Sequence, residues 1–368
     1  MNRILIDFRY INAKTGFSTY LKMILKVIAQ DVAFQNNYYL LVNDNYVDFN
    51  FEDYINTNKI KFVIAKSKPF SFMSNIEIPI LMWKNDIKIF HAINVDIPLG
   101  IVFLPHYKLI STIHDIIPLK YAHLYNLSLV KRIYFEIMNR LCSNLSHQIL
   151  TVSNYTKNDL MTYLKINENK ITVIYNSFES KIKKSKQIKR NKIRLLFVGT
   201  NFKYKNILEV IKAVKILQEK NIDVLFDIAG AERDYTNELR TYIQKNNLEN
   251  NVIIHGKVSE EKLAELYQNA SILTFPSLVE GFGVPLLEAM DYRLPVISSN
   301  RTVMPEVVED AGILIEPTAE NFAESIEYLI KNPDIAKQLV NKGYKRLKFF
   351  SQEKFNAEMK KVYSDEKE

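Results

Sequence analysis

Two carboxylates, Glu280 and Glu288, lie eight positions apart in the segment FPSLVEGFGVPLLEAM, with two glycines and Pro285 between them. The run SILTF before this segment is typical of a strand. Pro285 is predicted to be the first residue of a helix, because its missing amide would be unpaired there. Backbone N–H groups at such a helix start, here those of Leu286 and Leu287, are well placed to bind phosphate. The segment is therefore predicted to bind a diphosphate.

The two acids need partners other than phosphate, because a carboxylate and a phosphate repel each other. Glu280 precedes the predicted helix and Glu288 lies about one turn inside it, so the acids could lie on opposite sides of a diphosphate. Each could accept hydrogen bonds from sugar hydroxyls, one from a nucleoside ribose and the other from a second sugar. The alternative reading is that Glu280 is a surface charge and Glu288 a partner of the helix dipole.

A folded scaffold must position these residues. In both halves of the chain, short β-branched runs alternate with segments whose apolar residues recur at helical spacing, as in βαβ units. The predicted strands of the first half are RILIDF, YYLLV, KFVIA, IKIFH, LISTIHD, QILTVS and KITVIYN, with helices at 16–30 and 127–144. Those of the second half are IRLLFVG, VLFDIAG, VIIHG, SILTF, PVISS and GILIEP, with helices at 207–219 and 260–268. Six of the nine glycines follow these strands, where a backbone without side chains can approach a phosphate.

Length and composition indicate a folded protein of two domains, because 368 residues exceed one ordinary core and 47% of them are hydrophobic. The first residues lack the pattern of a secretory signal. No uncharged apolar run reaches the roughly 18 residues of a membrane span. The single cysteine, Cys142, has apolar neighbours and is predicted to be a buried thiol. We expect a cytoplasmic location.

The net charge of +8 comes from one segment, residues 181–194, which holds eight bases and no acid. This segment separates strand-like runs and is predicted to be a domain linker. It could be a solvated linker or a basic strip that contacts an anionic membrane. Nucleic acid is not an expected partner, because no aromatic residues interleave with the bases.

A second segment, SKPFSFMSNIEIPILMWKN at 67–85, is apolar and aromatic. Most of it is expected to form core strand and loop. The alternative is a surface that meets a lipid-linked or glycan acceptor at a membrane.

The run VEGFGVPLLEAM, followed by LPVISS and MPEVVEDAGILIEP, resembles the donor-binding region of retaining glycosyltransferases of family 4. The similarity extends over nearly the whole chain, through ILIDFRYINAKTGFSTYL, TIHDIIPL, QILTVSNYTKNDL and VGTNFKYKN. It implies the GT-B fold, an α/β architecture of two facing Rossmann-like domains with parallel sheets. The implied parts are an acceptor-binding domain at 1–180, a basic linker at 181–192, a nucleotide-sugar-binding domain at 193–349, and a C-terminal helix at 350–368 that packs back on the first domain.

The resemblance implies transfer of a hexose, with retention, from a UDP- or GDP-sugar to a glycan or lipid-linked acceptor. No metal or other cofactor is expected, which agrees with the lack of any Asp-x-Asp pair. The expected process is assembly of cell-envelope polysaccharide such as O-antigen, capsule or lipopolysaccharide, in the cytoplasm, with contact at the inner face of the plasma membrane left open. Two rival functions stay open: a non-hydrolysing nucleotide-sugar epimerase of the same fold, and a catalytically silent glycan-binding member.

In the second domain the resemblance places Glu288 on the ribose hydroxyls and Glu280 on the donor sugar. Lys205 is implied to hold the leaving diphosphate and to stabilise the charge that builds as it departs. Without the resemblance, Lys205 would be an ordinary surface lysine. The other implied donor-binding residues here are Gly199, Thr200, Phe282, Gly283, Val284 and Leu286.

In the first domain, His114 aligns with a family histidine that contacts the donor sugar and helps to stabilise charge at the reacting centre. By itself it would also fit a structural hydrogen-bonding pair with Asp115. Gly16 corresponds to a loop glycine that approaches the β-phosphate, although several relatives have two adjacent glycines there. The implied catalytic set is His114, Lys205 and Glu280.

Two further departures from the family pattern concern charge. Many members have arginine where Thr200 stands, so neutralising the diphosphate falls on Lys205, with help from Lys203 or none. Arg293 stands where members usually have glycine, and we expect it to cap the last carbonyls of the helix, or else to approach the site. No first-domain carboxylate matches a nucleophile, so the hypothesis is departure and attack on one face of the sugar, assisted by the diphosphate.

Overall fold

A computed structural model describes residues 3–13, 16–31, 35–44, 48–122, 128–180, 182 and 192–364. The chain divides into two compact units: unit 1 comprises Met1–Ser177 with Phe350–Glu368, and unit 2 comprises Phe178–Phe349. The predicted linker at 181–192 contributes only residues 182 and 192 to the described part. The basic strip therefore lies mostly outside the described residues.

Unit 1 is built on a seven-stranded parallel sheet in the order β3-β2-β1-β4-β5-β6-β7. Its strands are β1 Ile4–Asp7, β2 Tyr38–Val42, β3 Lys61–Ile64, β4 Ile89–Ala92, β5 Lys108–Thr112, β6 Gln148–Thr151 and β7 Ile171–Val173. The central strands β1, β2 and β4 are buried along their whole length, as in sheets covered by helices on both faces. All seven predicted strands are confirmed.

The helices of unit 1 before the linker are α1 Gly16–Gln30, α2 Ser74–Lys84, α3 Ile117–Lys120, α4 Leu129–Leu145 and α5 Asn154–Tyr163. The bounds predicted for α1 are confirmed, and α4 begins two residues later than predicted. The expectation of core strand and loop over 67–85 is wrong for most of that segment, which forms α2. Ser74, Ile78 and Met82 recur every four residues and are buried, so one helical face packs on the unit.

Unit 2 contains a six-stranded parallel sheet in the order β10-β9-β8-β11-β12-β13. Its strands are β8 Ile193–Val198, β9 Val224–Ala229, β10 Val252–Gly256, β11 Ile272–Phe275, β12 Val296–Ser299 and β13 Ile313–Ile315. Its helices are α6 Ile207–Glu219, α7 Tyr235–Lys245, α8 Glu260–Asn269, α9 Val284–Asp291, α10 Met304–Val308, α11 Ala319–Lys331 and α12 Pro333–Arg346. All six predicted strands are confirmed.

Each sheet has one point at which the strand order reverses. In unit 1 this point lies between β1 and β4, and in unit 2 between β8 and β11. Loops that leave the carboxyl ends of two such strands run in opposite directions and leave a crevice between them, where open α/β sheets bind ligands. The order of the strands therefore predicts one crevice in each unit.

The last helix, α13 Gln352–Ser364, packs against α1 within unit 1. Gln352 donates to the carbonyl of Met23 at 3.2 Å, and Asn356 donates to the side chain of Gln30 at 2.6 Å. These two hydrogen bonds help to fix α13 against α1.

Candidate active-site residues

In unit 2, the loops after β8 and β11 bring Lys205 and Glu280 together. Lys205 ends a short 3₁₀ helix, Lys203–Lys205, and its Nζ donates to Oε1 of Glu280 at 2.5 Å. The two side chains are only 13% and 12% exposed. Glu280 is therefore not a surface charge, and Lys205 is not a solvated surface lysine.

Lys203 lies apart from this ion pair although it is only two residues away. Its side chain is 73% exposed, and its nearest acid is Glu238, at 3.9 Å. Between the two lysines, Tyr204 is buried and stacks on Phe202. In this 3₁₀ helix successive side chains are about 120° apart, so Lys203 faces solvent while Tyr204 and Lys205 point toward the protein.

The start of α9 follows the same loop. Gly283 has φ +93° and ψ 48°, a left-handed conformation that most side chains avoid, and it precedes the helix as its N-cap. Pro285 is the second helical residue rather than the first. The prediction that Leu286 offers a free amide is wrong, because its N–H donates to the carbonyl of Gly283 at 3.0 Å. Leu287 is the fourth residue of α9, where the hydrogen bonds of the helix begin, so its amide is not one of the unpaired ones expected at a helix start. The amides of Gly283 and Val284 are the remaining candidates for binding an anion.

Glu288, one turn into α9, accepts a hydrogen bond at 2.7 Å from the hydroxyl of Tyr267. Tyr267 lies on α8, is buried, and stacks on Tyr292 with 5.0 Å between ring centroids. Burial and the charge of Glu288 raise the pKa of Tyr267 well above its ordinary value, so the hydroxyl stays protonated. Tyr267 thereby fixes one oxygen of the carboxylate. Sequence reasoning missed this residue, because no local pattern links positions 21 residues apart.

We name Lys205, Glu280, Glu288 and the first turn of α9 the Lys205 cluster. Gly199 and Thr200 directly follow β8, at the start of the loop that carries Lys205, and the Gly199 amide donates to the carbonyl of Ala229 at 2.9 Å. A Cβ atom on Gly230, which follows β9, would lie 1.8 Å from the carbonyl oxygen of Gly199. Gly230 is thus required for close packing of two backbones.

Arg293 neither enters the Lys205 cluster nor caps α9 with its side chain, so both readings of its guanidinium are wrong. The residue has φ +56°, which explains why glycine suits this position, and its amide donates to Met290 at 3.2 Å. The guanidinium carbon lies 3.3 Å from the centre of the Tyr344 ring, on α12. A cation–π contact therefore takes the place of the expected cap.

In unit 1, a cavity of about 360 Å³ lies beside His114, at the carboxyl ends of β4 and β5. We name it the His114 cavity. It is lined by Phe17, Phe70, Asn94, Val95, Thr112, Ile113, His114, Asp115, Ile116, Pro118, Leu119, Phe135 and Asn139. Its walls are mainly aromatic and aliphatic, with a few polar groups, as is usual for small-molecule sites.

His114 is held in one orientation. Its Nε2 lies 3.1 Å from the carbonyl oxygen of Ile93, and its ring meets Phe17 and Tyr20 edge-on. A carbonyl only accepts, so Nε2 carries the proton and Nδ1 remains an acceptor. Burial lowers the pKa of His114 to about 4, so the imidazole is neutral at pH 7. The alternative prediction paired His114 with Asp115. In the structure His114 bonds to the carbonyl of Ile93 instead.

A second histidine, His91, is linked to His114 through Thr112 and Tyr20. His91 on β4 is fully buried and lies 2.8 Å from both the Tyr363 hydroxyl and the Thr112 hydroxyl. Burial lowers its pKa to about 3. Tyr20 reaches the same Thr112 hydroxyl at 3.1 Å and contacts the ring of His114. The C-terminal helix thus contributes to a hydrogen-bonded chain behind the cavity.

Asn139, on α4, lines the His114 cavity with a side-chain oxygen that accepts no hydrogen bond. The residue is 5% exposed, and its Nδ2 donates to the carbonyl of Phe135 at 2.8 Å. Its Oδ1 is buried without a hydrogen-bond partner. Such an oxygen costs free energy in a folded protein unless a ligand supplies a donor.

The wall formed by Phe70 is anchored by a buried ionic network. The fully buried side chain of Arg9 donates to Asp7 at 2.7 Å and to Asp96 at 3.3 Å. Asp96 also accepts the amide of Phe70 at 2.9 Å, and Arg9 reaches the hydroxyl of Ser74 at 3.0 Å. Sequence reasoning gave these residues no role.

Two other predictions concern Gly16 and Cys142. Gly16 opens α1, and a Cβ there would meet nothing within 4 Å, so neither space nor backbone conformation demands glycine. Its proposed approach to a phosphate stays a prediction. Cys142 is a buried thiol, as predicted, and burial raises its pKa to about 11.

Within the described ranges, no helix is both long and apolar enough to cross a membrane. The same residues contain no group of three or more His, Cys, Asp and Glu side chains placed to hold a metal ion.

Family models match both parts of the chain. Residues 178–346 match "Glycosyl transferases group 1", and residues 41–181 match "Glycosyltransferase Family 4". A Salmonella typhimurium protein, the O-antigen chain mannosyltransferase RfbU, is 30% identical over 231 residues, which cover 62% of this chain and 63% of that protein. The matched part is therefore less than two thirds of that relative's length.

Solved structures show the same fold over 99% of this chain. A glycosyltransferase from Rickettsia africae aligns with a TM-score of 0.75, 19% identity and 98% of its own length. HepE from Anabaena, solved in complex with UDP and glucose, aligns with a TM-score of 0.73, 17% identity and 100% of its own length. These similarities establish an architecture of two Rossmann-like domains with parallel sheets, the GT-B fold.

Proposed function

This chain belongs to the family 4 glycosyltransferases with the GT-B fold, and we propose that it transfers a hexose from a nucleotide diphosphate sugar to a glycan or lipid-linked acceptor. The observation that carries the proposal is the Lys205 cluster at the strand-order reversal of unit 2. There an inward lysine and an acid meet across the loops after β8 and β11, and a helix start that carries the second acid follows directly.

In this proposal the diphosphate binds at the start of α9 and beside Lys205. The amides of Gly283 and Val284 and the positive end of the helix dipole attract the phosphate oxygens. Departure of the nucleotide diphosphate increases negative charge on those oxygens. A fixed ammonium group stabilises that charge more in the transition state than in the ground state, which accelerates the reaction.

The two acids of the cluster then bind hydroxyls. Glu288, oriented by Tyr267, accepts from the ribose, and Glu280 accepts from the donor sugar. Glu280 also orients Lys205, since the ion pair between them is short and nearly buried. Thr200 carries no charge, and Lys203 points to solvent, so Lys205 is the lysine of this loop that neutralises the diphosphate.

In unit 1, His114 acts as a neutral hydrogen-bond acceptor. Its Nδ1 lone pair can accept a sugar hydroxyl, and it can stabilise positive charge that develops at the anomeric carbon. A protonated imidazole would do neither. Transfer proceeds with retention, without a metal, by departure and attack on the same face of the sugar. Trapping a covalent sugar adduct on any side chain would contradict this route.

The acceptor sugar binds in the His114 cavity. Aromatic walls at Phe17, Phe70 and Phe135 suit the apolar faces of a sugar ring, and the unmet Oδ1 of Asn139 suits a hydroxyl. The process we propose is cell-envelope polysaccharide assembly, supported by the similarity to a protein named an O-antigen chain mannosyltransferase.

A donor screen tests this function. Purified protein is incubated with UDP- and GDP-hexoses, UDP-glucose and GDP-mannose first, and release of the nucleoside diphosphate is measured with and without glycan acceptors. We expect release from at least one donor, and faster release with an acceptor. Isomerisation of the donor without any acceptor would indicate an epimerase instead. No turnover of any donor would indicate a binding protein.

A further inference from the structure

One side of unit 1 exposes an unusual amount of apolar surface. Of the eighteen large hydrophobic side chains that are exposed in the described ranges, twelve lie on residues 72–83, 102–103 and 129–137. We name these twelve side chains the apolar face. Phe103 is 88% exposed and Trp83 is 71% exposed. A contiguous apolar patch of this kind marks an interaction surface on a soluble domain.

The apolar face is continuous along α4. Leu129, Ile133 and Ile137 are exposed at a spacing of four residues, and this row leads to Leu145 at the end of the helix. Leu145 in turn lies with Ile76 and Phe103 around one open groove. A helix of this length extends about 25 Å, so the row forms a long edge of the face.

Packing within the unit does not explain this row. Only Asn139, Cys142 and Ser143 of α4 are buried, and they lie on the opposite side of the helix from Ile133 and Ile137. Helix α4 therefore has one side toward the unit and a second apolar side toward solvent. On α2, similarly, Ile78 and Met82 are buried while Ile80 and Trp83 are exposed.

The charges beside the apolar face identify its partner. Lys131 and Arg132 lie in the first turn of α4, where residues 128–134 are all exposed. Arg140 lies next to Ile133 and Ile137 on the helix surface and is paired at 3.0 Å with Glu136, the one acid of that helix. Bases along an exposed apolar helix, with a tryptophan and a tyrosine beside them, are typical of helices that lie in a membrane interface. We propose that the apolar face docks on an anionic lipid bilayer.

A second copy of the chain fits this face less well. Two-fold packing would gather the exposed bases of α4 from both copies in one interface, and Glu136, the one acid of that helix, is already paired with Arg140. Anionic head groups complement those bases, each of which gains about 1 kcal/mol near a charged membrane surface.

This inference goes beyond the proposed function, since docking needs no turnover. It also gives the His114 cavity a position relative to the bilayer. Phe135 and Asn139 line the cavity on the inner side of α4, while Ile133 and Ile137 lie on the outer side. Only the thickness of α4 would thus separate the bilayer from the His114 cavity, where an acceptor sugar carried on a membrane lipid would bind.

The chain carries its own reporter for the test, because Trp83 is its single tryptophan and lies on the apolar face. Full-length protein is mixed with vesicles of phosphatidylglycerol and phosphatidylcholine, and sedimentation and tryptophan emission are recorded. We expect co-sedimentation, a blue shift of the emission, and quenching by lipids brominated on the acyl chain.

Three sets of variants locate the contact. Phe103→Ser, Ile133→Ser and Ile137→Ser combined should lower vesicle partition about tenfold or more, since three apolar side chains no longer leave water. Lys131→Gln with Arg132→Gln should lower partition on anionic vesicles about 30-fold. Tyr328→Ser, at an exposed aromatic of unit 2, is the matched control and should change nothing. All replaced side chains are exposed, so the fold should persist, as circular dichroism would show.

Several outcomes would overturn the proposal: no blue shift of Trp83, unchanged partition of the triple variant, or a dimer in solution that the triple variant abolishes. Loss of binding only when residues 181–194 are neutralised would assign the contact to the basic strip instead. Donor turnover, measured without vesicles, reports separately on the proposed function.

Discussion

The Lys205 cluster of unit 2 and the His114 cavity of unit 1 both lie at the carboxyl ends of parallel strands, the first after β8 and β11 and the second after β4 and β5, but they differ in electrostatics. The Lys205 cluster contains a short, nearly buried ion pair and a helix start. The His114 cavity has apolar walls, a neutral histidine and an unpaired amide oxygen. The same strand order thus positions fixed charge in one unit and uncharged hydrogen-bonding groups in the other. We interpret this as a division of labour between leaving-group stabilisation and recognition of the acceptor.

The largest effect should come from removing the charge of the Lys205 cluster. Lys205→Ala is expected to slow sugar transfer about 10²- to 10³-fold, because the leaving diphosphate loses its ammonium partner in the transition state. Binding of the nucleotide should weaken much less. Lys203→Ala, two residues away and exposed, is the control, and steady-state kinetics on both variants provide the measurement. Equal losses in the two variants would remove Lys205 from the mechanism.

The neutral histidines of unit 1 predict a pH effect on stability. His114 and His91 have pKa values lowered to about 4 and about 3, whereas both would take up protons near pH 6.5 when unfolded. The unfolded state therefore binds more protons as pH falls from about 6.5 toward 4, and unit 1 loses stability over that window.

Hydrogen exchange of the amides of α1 and α13 against pH would measure this loss, with a slope approaching about 1.4 kcal/mol per pH unit for each histidine. Asp96, whose pKa is raised by burial, opposes the effect. The His114→Asn variant isolates one histidine, because Asp96 is unchanged in it. The same slope in the variant and the parent protein would show that His114 is not buried as a neutral group.

Asn139→Leu should separate stability from function in the His114 cavity. The substitution removes a buried oxygen without a partner, so we expect unit 1 to gain about 1 kcal/mol of unfolding free energy. The acceptor would lose a hydrogen bond, and its KM should rise about fivefold to tenfold. Urea unfolding and acceptor titration measure the two effects. A destabilised variant with an unchanged KM would indicate a purely structural asparagine.

Tyr267→Phe tests how Glu288 is oriented in the Lys205 cluster. Loss of one hydrogen bond to a carboxylate should raise the KM for the donor about fivefold while kcat changes little, since the ribose lies away from the reacting bond. Donor titration checks this. A fall in kcat with an unaltered KM would place Tyr267 in the chemical step instead.

The smallest effect is expected at Arg293. Replacing it with glycine removes the contact with Tyr344 but relieves the left-handed backbone, and the two changes are each about 1 kcal/mol in opposite directions. Thermal unfolding should therefore shift little and donor kinetics should stay the same. Altered donor binding would bring Arg293 back into the active site.

The strands could be predicted from the sequence, because parallel strands buried on both faces appear as short runs of β-branched and aliphatic residues. The segment containing Glu280 and Glu288 was identified because strand, glycines and helix start are adjacent in the chain. Its detailed hydrogen bonding was not, since the bond from Leu286 to Gly283 depends on the backbone angles at the turn.

Contacts between distant positions could not be predicted in this way. Tyr267 meets Glu288 across 21 residues, Arg9 meets Asp96 across 87, and His91 meets Tyr363 across 272. Helix α2 was misjudged for a different reason: its apolar residues cover both sides of the helix, so no periodic pattern distinguishes the buried side from the exposed one.

The most direct test of the account is a crystal structure of the protein with a bound nucleoside diphosphate. We predict that the diphosphate contacts the amides of Gly283 and Val284 and the Nζ of Lys205, and that the ribose hydroxyls bind Glu288. A diphosphate bound away from the first turn of α9, or a ribose without contact to Glu288, would contradict the central claim.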